Sequence, residues 1–146
     1  MKTDAQLLKT FKIEKLEKNI IFVEMFGSES EDANNGRQAE LVSEAIMKVV
    51  NQDPKTLYNF LVDMTLTGTV NRISPHAKEV YINLSKISNQ DKAAVIGNNL
   101  MLEVSVNLLM QATGRGSSFK WFKDREEALE WLKTEVSTTA KTPNFP

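Results

Sequence analysis

The alternation of apolar and polar positions divides the chain into short segments whose period changes. Leu57, Tyr58, Phe60, Leu61 and Val62 are apolar at both parities, so residues 56–63 predict a strand buried on both faces and ending at Asp63. A threonine-rich loop then leads through Gly68 to Ser74 and Pro75. Beyond it Ala77, Val80, Tyr81, Leu84 and Ile87 recur at three and four, the period of an amphipathic helix. Ser74 suits the N-cap, and Pro75 suits the first helical position, where its missing N–H would have had no intrahelical partner. A strand that delivers polar residues to a helix start marks the end at which open α/β sheets bind their ligands.

The segments on either side fit the same scheme. Phe11, Ile13 and residues 20–26, split by Glu17, Lys18 and Asn19, predict a β-hairpin. Residues 27–36 (GSESEDANNG) are polar and acidic and predict a flexible connection. From Arg37, the positions Leu41, Val42, Ala45, Ile46, Val49 and Val50 predict a helix that stops near Asp53 and Pro54. KAAVIG, residues 92–97, predicts a short buried strand, and residues 98–112 a third long helix. Along that helix Met101, Val104, Leu108 and Ala112 form one stripe. Leu102, Val106, Leu109 and Met110 widen it past what covering a sheet requires, so the surplus is either buried under neighbouring elements or meets a second subunit or an apolar ligand. Gly114 and Gly116 end the helix, residues 118–122 predict a last strand, and Asp124 with Glu127 forms a capping box for a final helix packed by Ala128, Leu129, Trp131, Leu132 and Val136. Residues 137–146 predict a frayed tail after one domain spanning 1–136.

The predicted order is therefore β-β-α-β-α-β-α-β-α, an α/β fold with a mixed sheet of about five strands and four helices. Length and composition agree: 146 residues with 41% hydrophobic content suffice for one core. The absence of cysteine excludes disulfides, thiol catalysis and thiolate zinc sites, and a lone histidine, His76, excludes a multi-histidine metal centre. The 18 basic and 19 acidic residues are interspersed for a net charge of −1, which gives no field to draw the protein onto nucleic acid. No apolar run has the length of a signal peptide or a membrane span, so the expectation is a soluble cytoplasmic protein.

The segments KAAVIGNN (residues 92–99) and FKWFKDREEALEWL (residues 119–132) resemble the STAS domain, the fold of anti-sigma-factor antagonists, and more narrowly the SpoIIAA-like group. Phe122, Asp124, Glu126, Glu127, Ala128, Trp131 and Leu132 carry the closing motif. The resemblance implies a STAS/SpoIIAA-like fold similar to CRAL-TRIO lipid-transfer domains, acting as a regulatory or interaction module without catalysis. In phosphorylatable members of the wider family, the strand-end aspartate is followed by an Asp-Ser-Ser-Gly-like motif in which a serine is modified. Here Asp63 is in place, but the stretch reads Asn71, Arg72, Ile73, Ser74, Pro75, so the motif is missing and Ser74 is the nearest hydroxyl. A phosphate there would meet free helix-start N–H groups.

Three functions compete on these residues. In the first, a protein partner is bound through the loop after Asp63 and the second long helix. In the second, a small anion or lipid-like ligand is held by the helix starts at Ser74 and Asn98, with Asp63, Thr65, Thr67, Asn71 and Arg72 beside them and the apolar third helix behind. The third is an enzyme pairing Asp63 with His76 and using Thr67 or Ser74 as nucleophile, but no elbow motif or paired acids support it. The expectation is a non-catalytic module with no cofactor and no metal, and with self-association through Leu102, Val106 and Leu109 as a secondary hypothesis.

Overall fold

The computed structural model describes residues 1–27, 29–67, 73–87, 89–114 and 116–134. The predicted tail and the loop residues Thr69, Asn71 and Arg72 lie outside them. A five-stranded sheet runs in sequence order: β1 (Phe11–Glu17), β2 (Ile20–Met25), β3 (Tyr58–Asp63), β4 (Gln90–Ile96) and β5 (Phe119–Phe122). β1 and β2 are antiparallel, while β2 through β5 are parallel, with Val23 opposite Val62, Val62 opposite Val95 and Val95 opposite Trp121.

Parallel neighbours need crossovers, and crossovers of one hand that always step the same way place their helices on one face. Accordingly α2 (Asp32–Gln52), α3 (Pro75–Leu84) and α4 (Leu100–Ala112) share a face, and α5 (Arg125–Lys133) covers the other. The pleat divides the strands between two cores. Ile21, Val23, Tyr58 and Phe60 point to the α2–α3 side, and Ile20, Phe22, Leu61, Ala94 and Ile96 point to α5. This is why residues 58–62 carry no polar alternation.

The class agrees with the expectation, and the differences are local. A short helix not predicted from the pattern, α1 (Asp4–Leu7), is closed by a Thr3–Gln6 capping box and drives Leu7 into the core at 0% exposure. Four residues are too few to show a period. The acidic stretch expected to be a flexible connection is helical from Asp32 onward, and Asn34, Asn35, Gly36 and Gln38 are buried there. Their burial rests on hydrogen bonds rather than apolar contact, so hydrophobic periodicity misses it. Asn34 accepts from the N–H of Lys2 at 2.9 Å, and Asn35 accepts from the N–H of Ser74 at 2.9 Å while donating to the Glu29 carbonyl at 3.2 Å. Gly36 lets α3 approach, since a Cβ there would come within 3.0 Å of His76 Cδ2. Leu57, expected in the buried strand, precedes it and is 51% exposed.

Candidate functional site

The C-terminal ends of β3 and β4 lie side by side, with Asp63 paired to Ile96 and the Met64 N–H bonded to the Ile96 carbonyl at 2.8 Å. Because the two strands are parallel, the chain segments leading to α3 and α4 leave from the same sheet end, as expected from the sequence. Ser74 caps α3 by accepting from the Ala77 N–H at 3.1 Å. The cap of α4 is Asn99, which accepts from the Leu102 N–H at 3.1 Å, so Asn98 is an exposed residue one position before it.

The strand-end loop is satisfied from within. Asp63 Oδ1 accepts from both the backbone N–H of Thr65, at 2.9 Å, and its hydroxyl, at 2.7 Å. Thr67 is buried and donates to the Met64 carbonyl at 2.9 Å. Ser74 is 1% exposed with its hydroxyl turned onto its own helix, so a kinase has no access to it in this conformation. His76 bonds Glu40 of α2, and Asp63 bonds Thr65, so the base-and-orienter pair drawn from the sequence is not made. Hydrogen bonds from Arg37 and His76 hold the Glu40 carboxyl below the usual carboxylate range.

Behind this loop lies a partly open cavity of about 170 Å³ between the sheet and α2, α3 and α4. Val23 and Met25, Phe60 and Val62, Ala93 and Val95, and Phe119 form its floor, one or two from each of β2 to β5. Val42 and Ile46 of α2, Leu84 of α3, and Leu102, Val106 and Leu109 of α4 wall it. α3 packs chiefly on α2, while α4 lies against β5 and the turn before it, which leaves the space between α3 and α4 unfilled. None of the described lining residues is charged. For scale, an engineered apolar cavity of about 150 Å³ admits benzene.

Leu102, Val106 and Leu109, read from the sequence as a self-association surface, are at most 8% exposed and face this cavity. The outward apolar residues are instead Leu100, Met101, Val104 and Leu108, between 49% and 70% exposed. The two sets interleave in sequence on different faces of the helix, and both are apolar, so periodicity could not choose between them.

The polar groups at the cavity divide into satisfied and unsatisfied. Asn35, Thr67 and Ser85 spend their side chains on Glu29 and Ser74, on Met64, and on Ile82 respectively. The Tyr81 hydroxyl has no hydrogen-bond partner among the described residues, and burial pushes its phenol up to about 12. Gln38 is 3% exposed, and its amide nitrogen donates to Thr10 Oγ1 at 2.7 Å and the Gly27 carbonyl at 3.1 Å, leaving Oε1 without a partner among the described residues. Neither residue was singled out as a site residue from the sequence. The available signal was Gln38 itself, a polar residue three and four positions before Leu41 and Val42 on the apolar face of its helix.

A mixed sheet with three helices on one face, a single helix on the other, and helix starts gathered at one sheet end defines a STAS-type α/β domain. A model of the SpoIIAA-like family matches residues 20–133, and the chain belongs to that family. An uncharacterised protein with a SpoIIAA-like fold from Shewanella loihica superposes with a TM-score of 0.58 at 19% identity, covering 84% of this chain and 91% of that one. At that identity the likeness shows the fold alone. No curated protein matches. Among the described residues, no cluster of three or more acidic or histidine side chains could hold a metal, and no helix is long and apolar enough to cross a membrane.

Proposed function

We propose that this chain is a non-catalytic binding module whose ligand is a small, mainly apolar molecule held between the sheet and α3 and α4. The observation that supports it is the cavity of about 170 Å³, uncharged among the described residues, walled by aliphatic and aromatic side chains and bordered by Met64 and Thr67 of the loop after β3. An anion is disfavoured there, because a charge entering a cavity with no cation among its described lining residues loses its hydration without recompense. A protein partner that docks on α4 and the adjoining loop is the second reading, favoured by exposed Met101, Val104 and Leu108 and by Leu66 at 56% exposure.

The test is a titration with toluene followed by NMR, in wild type and in Ala93→Leu, which fills the cavity floor. Saturable binding that disappears in Ala93→Leu supports the ligand reading. Absence of binding to wild type, or binding that Ala93→Leu leaves unchanged, defeats it and favours the protein partner.

A further inference from the structure

Resting on the ligand reading above, we infer that the cavity selects an uncharged molecule with a hydrogen-bonding head, a hydroxyl or carbonyl, which pairs with the hydroxyl of Tyr81. Tyr81 belongs to the cavity wall contributed by α3, and its ring packs against the core of the α2 face. A phenylalanine would serve that packing equally well. The oxygen it carries has no partner among the described residues, although hydroxyls removed from water ordinarily find one. Tyr81 as a whole is partly buried, and the burial that raises its phenol accords with a hydroxyl on the cavity side of the ring.

Charge decides which head group fits. The Tyr81 hydroxyl can donate to a carbonyl or exchange a hydrogen bond with an alcohol, and Gln38, also a lining residue, has an Oε1 that can only accept. Both are neutral, and among the described residues no lysine, arginine or histidine lines the space to neutralise a carboxylate or phosphate. Size sets the rest. A cavity of about 170 Å³ holds a body on the scale of one aromatic ring or a short chain.

The test uses three probes of similar shape at neutral pH: toluene without a head, phenol with a neutral one, and benzoate with a charge. Each is titrated into the full chain and into Tyr81→Phe, with dissociation constants from amide shifts, whose dispersion also reports that the variant is folded. The expected result is that Tyr81→Phe raises the ratio of the phenol constant to the toluene constant about tenfold, within the upper range for one hydrogen bond, while the toluene constant stays within about twofold. Benzoate binds neither protein measurably. An unchanged ratio with toluene still bound overturns the inference and spares the apolar-ligand reading. Benzoate binding as tightly as phenol overturns the neutral-head assignment, and failure of toluene itself removes both.

Discussion

The ammonium of Lys92 lies 5.3 Å from the centroid of the Trp131 ring and donates a 2.9 Å hydrogen bond to the carbonyl of that same residue. It also donates to the Thr134 carbonyl at 2.7 Å, so a cation from β4 closes the C-terminal end of α5, where the helix dipole is negative. Asn59 of β3 completes the tie. It accepts from the Lys92 N–H at 3.0 Å and donates to the Leu132 carbonyl at 3.0 Å. α5 is thus fixed to the middle of the sheet by polar bonds inside an otherwise apolar layer.

Lys92→Met should therefore destabilise the fold even though methionine fits the volume. Burial lowers the pKa of Lys92, a cost that methionine avoids, but the Thr134 carbonyl loses its donor, while the Trp131 carbonyl keeps the N–H and hydroxyl of Thr134. The net loss should be about 0.5–1.5 kcal/mol, the worth of a hydrogen bond whose acceptor sits on an exposed residue at the helix end. Urea unfolding measures it. A midpoint equal to wild type at unchanged slope would show that the tie contributes nothing.

Tyr81 gives a pH-dependent prediction whose sign follows from its burial. The phenol is neutral when protonated, and burial raises it from 10.0 to about 12 in the folded protein. Between those values the unfolded chain gives up its proton while the folded one keeps it. Stability from this group is therefore complete below pH ~10 and is lost as the pH rises toward ~12. Tyr81→Phe should fall less steeply than wild type across that window. At neutral pH it should match or exceed wild type by up to about 1 kcal/mol, because it removes an unpaired hydroxyl. A loss above that size at pH 7 would mean the hydroxyl already has a partner.

Trp121 covers Gly97 so closely that a Cβ would come within 2.4 Å of its Cζ2, and its Nε1–H donates to the Gly97 carbonyl at 3.1 Å. Gly97→Ala forces the ring away and breaks that bond. The expected cost is about 1–3 kcal/mol by overpacking. Adding Trp121→Leu should recover part of it, since the two sites are in contact and their effects should not add. Strict additivity on thermal unfolding would place the cost elsewhere.

The parts of the fold that the sequence announced are those where local chemistry and burial agree. Tyr58, Phe60, Leu61 and Val62 are apolar because both faces of β3 are covered, and Ser74 with Pro75 marks a helix start that the structure keeps. The start of α2 was hidden because Asn34, Asn35 and Gln38 are buried through hydrogen bonds to residues 3 to 39 positions away. The cavity was hidden for a different reason. It arises from the separation of α3 and α4, which no periodicity encodes, and its lining residues look like any other core. Of the expected ligand residues that the structure describes, only Thr67 reaches it, while Asp63 and Thr65 satisfy each other.

The two faces of α4 make opposite predictions from neighbouring valines. Val106 is 7% exposed and meets the cavity, whereas Val104 is 49% exposed on the outer stripe with Met101 and Leu108. Val106→Glu places a carboxylate where no described lining residue carries a positive charge, so it should cost several kcal/mol or abolish folding, about 3 kcal/mol at least. Val104→Glu and Leu108→Glu should each stay within about 0.5 kcal/mol of wild type. If copies of the chain associate through α4, the outer pair should also shift a dimer to monomer on light scattering without loss of stability. A monomeric wild type at high concentration ends the self-association hypothesis, and a normally stable Val106→Glu would contradict the inward face of the helix.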